Sequence, residues 1–240
     1  MVYQKIKKTP DEFLKIADEY ELDIFTPQSF GKATRMDLGE WMPQLRTLIK
    51  NGLIDIIEKG KYCRHNFRNQ YVIGNYLAPD GAIAYWSALN LHGFTEQITN
   101  TVFVQTAKLK RNKKVFGVPY QFVQIKQAKI TGIEMAGYGN HSYRITDKEK
   151  TIVDCFDLPE YGGEFPGVIR AFATNSWMEQ KLIDYAKIIN NTAAIKRMGF
   201  CAELFELPIF KFIAFAKEQV TKTISLFDNN GSDNGNFITP

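Results

Sequence analysis

The first 68 residues carry helix starts and strand signals in a definite order, three short helices and then a small hairpin. Thr9-Pro10-Asp11-Glu12 opens the first helix. Thr9 can cap, Pro10 suits the first helical position, and Glu12 stands where a capping-box carboxylate belongs. Phe13, Leu14, Ala17 and Tyr20 follow at the spacing of an amphipathic helix. Thr26-Pro27 opens a second helix that runs to about Ala33. Asp37, with Glu40 three residues on, starts a third. Its apolar stripe includes Leu38, Trp41, Leu45 and Leu48, and Gly52 stops it. Pro43 either kinks this helix or marks where its regular part begins. Leu53–Glu58 then reads as a strand, Lys59-Gly60 as a turn and Lys61–Arg64 as the returning strand.

That order is the order of a winged helix-turn-helix. In such a unit the third helix enters the major groove of double-stranded DNA, the second crosses the backbone, and the hairpin tip reaches phosphate. The polar face of the third helix here holds Gln44, Arg46, Thr47 and Lys50. Arg can pair with guanine, Gln with adenine, and Lys or Thr with phosphate. Lys59, Lys61 and Arg64 lie on the hairpin, Arg68 just beyond it, and Lys32 and Arg35 flank the turn between helices two and three. These ten residues are the candidate DNA contacts. The plainer alternative is a solvated face opposite an apolar stripe. Segment 1–68 has twelve Lys and Arg against ten Asp and Glu, a weak positive balance. Winged helices also serve as protein-interaction modules.

Residues 69–240 read as a second domain of mixed α/β type, so the chain as a whole is expected to be α+β. Helices are expected from Asp80-Gly81 to Gly93, over 147–157, 164–173 and 179–198, and from Ile209 to Val220. Strands are expected at Thr101–Thr106, Val115–Val118, Tyr120–Ile125 and Tyr143–Ile145, with an edge strand at Thr223–Phe227. The formal net charge of +4 is unevenly spread. Segment 105–150 has ten Lys and Arg against three acids. Lys108, Lys110, Arg111, Lys113 and Lys114 form its core and are candidate phosphate contacts. The alternative for them is a loop that keeps an edge strand from pairing.

No stretch is apolar for long enough to span a membrane, and Met1–Lys8 has charge without the apolar run of a secretory signal. Cys63, Cys155 and Cys201 are odd in number and far apart, which fits a cytoplasmic protein better than a disulfide framework or a zinc site. His65, His92 and His141 have no metal-ligand spacing, and His92 beside Gly93 reads as a helix-end cap. No phosphate-loop, dinucleotide or nucleophile-elbow motif is present, so neither a cofactor nor a catalytic residue is expected. One enzymatic alternative uses Asp80, Glu149 and Lys150 as a metal-dependent nuclease set, against the expected strand spacing of such a set.

Three stretches together resemble the AbiEi family of abortive-infection antitoxins. The first is Leu45–Ile54 leading to Lys59-Gly60-Lys61-Tyr62, similar to the winged-helix end of that family. The second is Ala82–Phe94, and the third is Tyr143–Asp154 with Pro159–Gly163 after it. The resemblance implies a transcriptional repressor that binds inverted repeats upstream of its own operon. It also implies that the second domain is the antitoxin of a type IV toxin–antitoxin pair, opposing a nucleotidyltransferase-like toxin. By position, Gln44, Arg46, Thr47 and Lys50 would then face bases, and Lys59 to Arg64 would be the wing.

Overall fold

A computed structural model describes residues 8–219. The expected strand at Thr223–Phe227 lies outside them. The described chain is a mixed α+β protein in two compact units. The first comprises the described residues up to Leu77 together with Gly137–Ser142, and the second begins at Ala78 and excludes that short insertion. The boundary therefore falls after Leu77, whereas the sequence suggests Arg68.

In the first unit, α1 (Pro10–Glu19) is followed by the short β1 (Ile24–Phe25), α2 (Pro27–Thr34) and α3 (Met42–Lys50). The hairpin β2 (Ile54–Glu58) and β3 (Lys61–Arg64) comes next, then α4 (Gln70–Leu77). Both Thr-Pro starts are capped. The Thr9 hydroxyl accepts from the Glu12 amide at 3.2 Å, and Thr26 and Ser29 cap each other reciprocally. Arg35 adopts a left-handed conformation (φ 59°) that ends α2. Asp37 then caps a short 3-10 turn, Leu38–Trp41, rather than the third helix itself. That helix starts at Met42, so Pro43 sits in its first turn, where its missing N–H costs nothing and no kink follows.

The three strands pair in the order β1-β3-β2, all antiparallel. Gly60 makes the hairpin turn with φ +77°, a conformation favourable only to glycine. The core is aromatic. Phe13 stacks on Phe30 at 5.6 Å and also meets Phe25 and Trp41, while Phe25 stacks on Tyr62. Leu45, Leu48 and Ile54 close this core from α3 and the hairpin.

The second unit starts with β4 (Ala82–Ile83) and α5 (Tyr85–Leu91). The strands β5 (Val102–Thr106), β6 (Lys113–Val115), β7 (Val118–Gln124), β8 (Ile133–Ala136) and β9 (Tyr143–Thr146) follow. Then come α6 (Lys148–Asp157), α7 (Phe165–Thr174), α8 (Glu179–Ile189), α9 (Thr192–Leu204) and α10 (Phe210–Glu218). The six strands form one mixed sheet, β6-β7-β5-β4-β9-β8, with β6 and β8 at its edges. Helices α5 to α10 share a single core with the sheet, centred on Phe156, Phe172, Leu182 and Met198.

Three sequence expectations change here, the first being the strand expected at Val115–Val118, which is instead the Phe116-Gly117 turn joining β6 to β7. The helix expected from Asp80 begins five residues later, because Ala82–Ile83 is claimed by the sheet, between β5 and β9. At Gly81 the backbone passes so close to β5 that a Cβ would lie 2.0 Å from the Gln105 carbonyl oxygen. Pairing across the sheet thus overrides the local helical pattern. The long helix expected over 179–198 is two helices. Asn190 turns left-handed (φ 50°) and the Asn191 side chain caps α9.

Candidate nucleic-acid interface

Helical spacing places Arg46 and Lys50 one turn apart on the exposed face of α3, with Thr47 between them. Leu45 and Leu48 on the opposite face anchor the helix in the aromatic core. Lys32 and Arg35 lie at the C-terminal end of α2, and Lys59 at the hairpin tip. All five cations are exposed, and none has a side-chain partner among the described residues. Thr47 donates to the Pro43 carbonyl at 3.1 Å, and its side chain remains on the surface. Asn51 is also exposed, one turn beyond Thr47, and lengthens this polar face. The sequence signal for it was the (i, i+4) step, masked by the helix stop at Gly52.

Four other sequence candidates have intramolecular work. The Gln44 amide donates to the Lys8 carbonyl at 2.8 Å, which ties up the group that would pair with adenine. Lys61 pairs with Glu58 at 2.6 Å and donates to the Leu77 carbonyl. Arg64 is drawn inward by Asp18 and the Leu14 carbonyl. Arg68 pairs with Asp55 at 2.9 Å. A strand or helix pattern cannot reveal the carboxylates that Arg64 and Arg68 find 46 and 13 residues away. Because Asp18 is largely exposed, Arg64→Gln is expected to lower stability by only about 0.5–1 kcal/mol. Its DNA affinity should keep the wild-type salt dependence. A salt slope shallower by about one unit would return Arg64 to the interface.

Beside α1, Asp18, Glu21, Asp23, Tyr138, Asn140 and His141 line a cleft of about 330 Å³. Arg64 and His141 engage two of its acids, the latter at 2.7 Å from Asp23. Its charge is opposite to that of the α3 face.

In the second unit the basic run splits. Lys113 and Lys114 lie on the edge strand β6, while Lys108, Lys110 and Arg111 precede it in a loop. Lys108, Arg111 and Lys114 are exposed, and Lys110 sits over the Phe122 ring at 5.3 Å.

The proposed nuclease set is dispersed among structural duties. Asp80 accepts from the Thr106 hydroxyl at 2.8 Å and the Ala107 amide at 3.1 Å. Burial opposes its ionisation, but these hydrogen bonds outweigh burial and hold the carboxyl below its ordinary range. Glu149 accepts from the Met178 amide. Lys150 is wholly buried against Asp154. Asp147, the cap of α6, accepts from Lys181 and from the Tyr185 hydroxyl at 2.7 Å. Burial and then this carboxylate push the Tyr185 hydroxyl up. No cluster of metal-ligating side chains occurs among the described residues. All three cysteines are free and buried, and burial pushes the Cys63 and Cys201 thiols up to about 12, far from the range of a nucleophilic cysteine. His92 does end α5, and its Nε2 also lies 2.7 Å from the Thr146 carbonyl of β9, a tie that sequence spacing did not indicate. No helix among the described residues is long and apolar enough to cross a membrane.

The fold is similar to that in the crystal structure of the RV2827C protein from Mycobacterium tuberculosis. The TM-score is 0.64, with 12% sequence identity over 95% of this chain and 88% of that one. No family model matches the sequence, and no curated protein does.

Proposed function

We propose that the protein is a DNA-binding autorepressor whose first unit is a winged helix-turn-helix, with α3 as the recognition helix and the β2–β3 hairpin as the wing. The observation that carries this reading is the sorting of cations in that unit. Arg46, Lys50, Lys59, Lys32 and Arg35 are left exposed on α3, the hairpin tip and the end of α2, whereas Lys61, Arg64 and Arg68 are consumed by acids. A merely solvated surface would be expected to pair its cations without regard to element. On this reading Arg46 takes a base edge, and Lys50, Lys59, Lys32 and Arg35 take phosphates.

The resemblance to AbiEi antitoxins extends the proposal. The operator would be inverted repeats upstream of the protein's own gene, and the second unit would oppose a nucleotidyltransferase-like toxin in the cytoplasm. Arg46→Ala is expected to weaken binding to that upstream duplex by about 1–3 kcal/mol in a gel-shift titration, with less loss on scrambled DNA. Equal affinity of variant and wild type would remove α3 as the recognition helix. Exposed Leu53 and Ile56 beside the hairpin favour a second reading, a protein-interaction module. Absence of any salt-dependent DNA affinity in the purified protein would select it. For the antitoxin half, a nucleotidyltransferase-like reading frame is expected beside the gene, co-expression with it should restore growth, and continued arrest would reject that half alone.

A further inference from the structure

From Ala107 to Ile133 the chain has seven Lys and Arg and no Asp or Glu. Its densest part is the loop 108–112 running into β6, and the base of that loop is pinned. Asp80 accepts from the Ala107 amide, the Thr106 hydroxyl accepts from the Lys108 amide at 3.2 Å, and the Asn112 side chain accepts from the Phe122 amide at 2.9 Å. Between these pins Leu109 is 84% exposed. Lys108, Arg111 and Lys114, all within five residues of it in sequence, are exposed, with no ion-pair partner among the described residues.

Protection of the edge strand needs cations on β6 itself, where Lys113 and Lys114 lie. It does not account for cations in the loop ahead of the strand, nor for a leucine at their centre. An exposed apolar side chain flanked along the chain by exposed cations fits a surface whose anionic rows flank an apolar floor. Duplex DNA offers that arrangement in its minor groove, where apolar side chains enter between two phosphate rows.

We propose that the 107–112 loop and the start of β6 form a second, sequence-independent DNA contact, with Lys108, Arg111 and Lys114 on phosphates and Leu109 in the minor groove. It adds to the operator reading by the first unit without depending on it.

The test uses the full chain and a short random-sequence duplex, titrated with salt. The triple variant Lys108→Gln, Arg111→Gln, Lys114→Gln is expected to make the slope of log K against log salt shallower by about 2–3, at roughly 0.9 per phosphate. Leu109→Ser is expected to weaken binding several-fold at an unchanged slope. All four side chains are surface groups, and unchanged circular dichroism and melting would confirm folding. A wild-type slope in the triple variant overturns the proposal, and wild-type affinity in Leu109→Ser overturns its minor-groove part. Binding to phosphatidylserine vesicles that the triple variant loses, with its DNA slope unchanged, overturns the proposal in favour of lipid. An Arg46→Ala, Lys50→Ala protein separates the two readings. If it binds its upstream duplex like wild type while the triple variant still loses slope, the operator reading fails and this one stands. The reverse pattern does the opposite.

Discussion

Lys150→Ala should destabilise the second unit by about 3–5 kcal/mol, the cost of leaving one member of a buried ion pair alone. Lys150 has no exposed surface, and its ammonium meets Asp154 one turn further along α6. The second oxygen of Asp154 is buried without a partner among the described residues, so Lys150 is the principal group that compensates its charge. Burial already pushes the Asp154 carboxyl up, and the nearby Lys150 pulls it down only in part. Without Lys150 the rise is larger. A raised folded-state value means that stability is fully present below the ordinary carboxylate range and is lost as pH rises through the folded value. The variant should therefore lose most stability at neutral pH and least in acid. Urea titration at several pH values would measure this. Lys150→Met combined with Asp154→Leu should recover most of the loss, since an apolar pair of similar volume needs no charge compensation. A single variant that unfolds at the wild-type midpoint would mean that the ion pair does not hold α6.

Phe13→Ala is expected to cost the first unit about 3–5 kcal/mol through the cavity it leaves. Its ring touches Phe25, Phe30 and Trp41, and so joins α1 to β1, to α2 and to the 3-10 turn that aims α3. Its loss removes the common anchor of the helix pair. Phe13→Leu keeps much of the apolar volume and should cost far less. Denaturant unfolding monitored by near-ultraviolet circular dichroism would report on these rings. A loss below about 1 kcal/mol would show that the neighbouring rings collapse into the gap. If DNA affinity fell with Phe13→Ala while the Arg46 side chain was untouched, the positioning of α3 would be the cause.

Much of the first unit was legible because its signals are local. Thr9-Pro10 and Thr26-Pro27 cap helices through contacts three residues away, and Gly60 turns a hairpin through its own φ. Pro43 was ambiguous because its effect depends on where the helix starts, and the 3-10 turn before Met42 settles that. The second unit was less legible. Ala82–Ile83 looks helical in its own window, and only pairing with Val104, Gln105 and Ile145 makes it a strand. Gln70–Leu77 and Ile133–Ala136 gave no strong periodic signal, and their identities come from packing and from pairing with β9.

The stretch Tyr143–Asp154 consists largely of buried groups. Thr146, Asp147, Glu149, Lys150, Thr151 and Asp154 are all inside, and the Thr146 and Thr151 hydroxyls bond at 2.7 Å. Sequence alone does not tell such buried acids and lysines from exposed ones, because the contacts that bury them are made by folding.

By itself the sequence determined the order of elements in the first unit, the exposed face of its third helix, the uneven distribution of charge, and the lack of disulfide or metal spacing. These follow from contacts within a few residues, or from composition. The tertiary structure alone decided which cations remain available. Arg64 and Asp18 are 46 residues apart, and Lys61 reaches a carbonyl 16 residues away. A charge is free or spent according to what folding brings beside it, and that depends on distances in space that no sequence window contains.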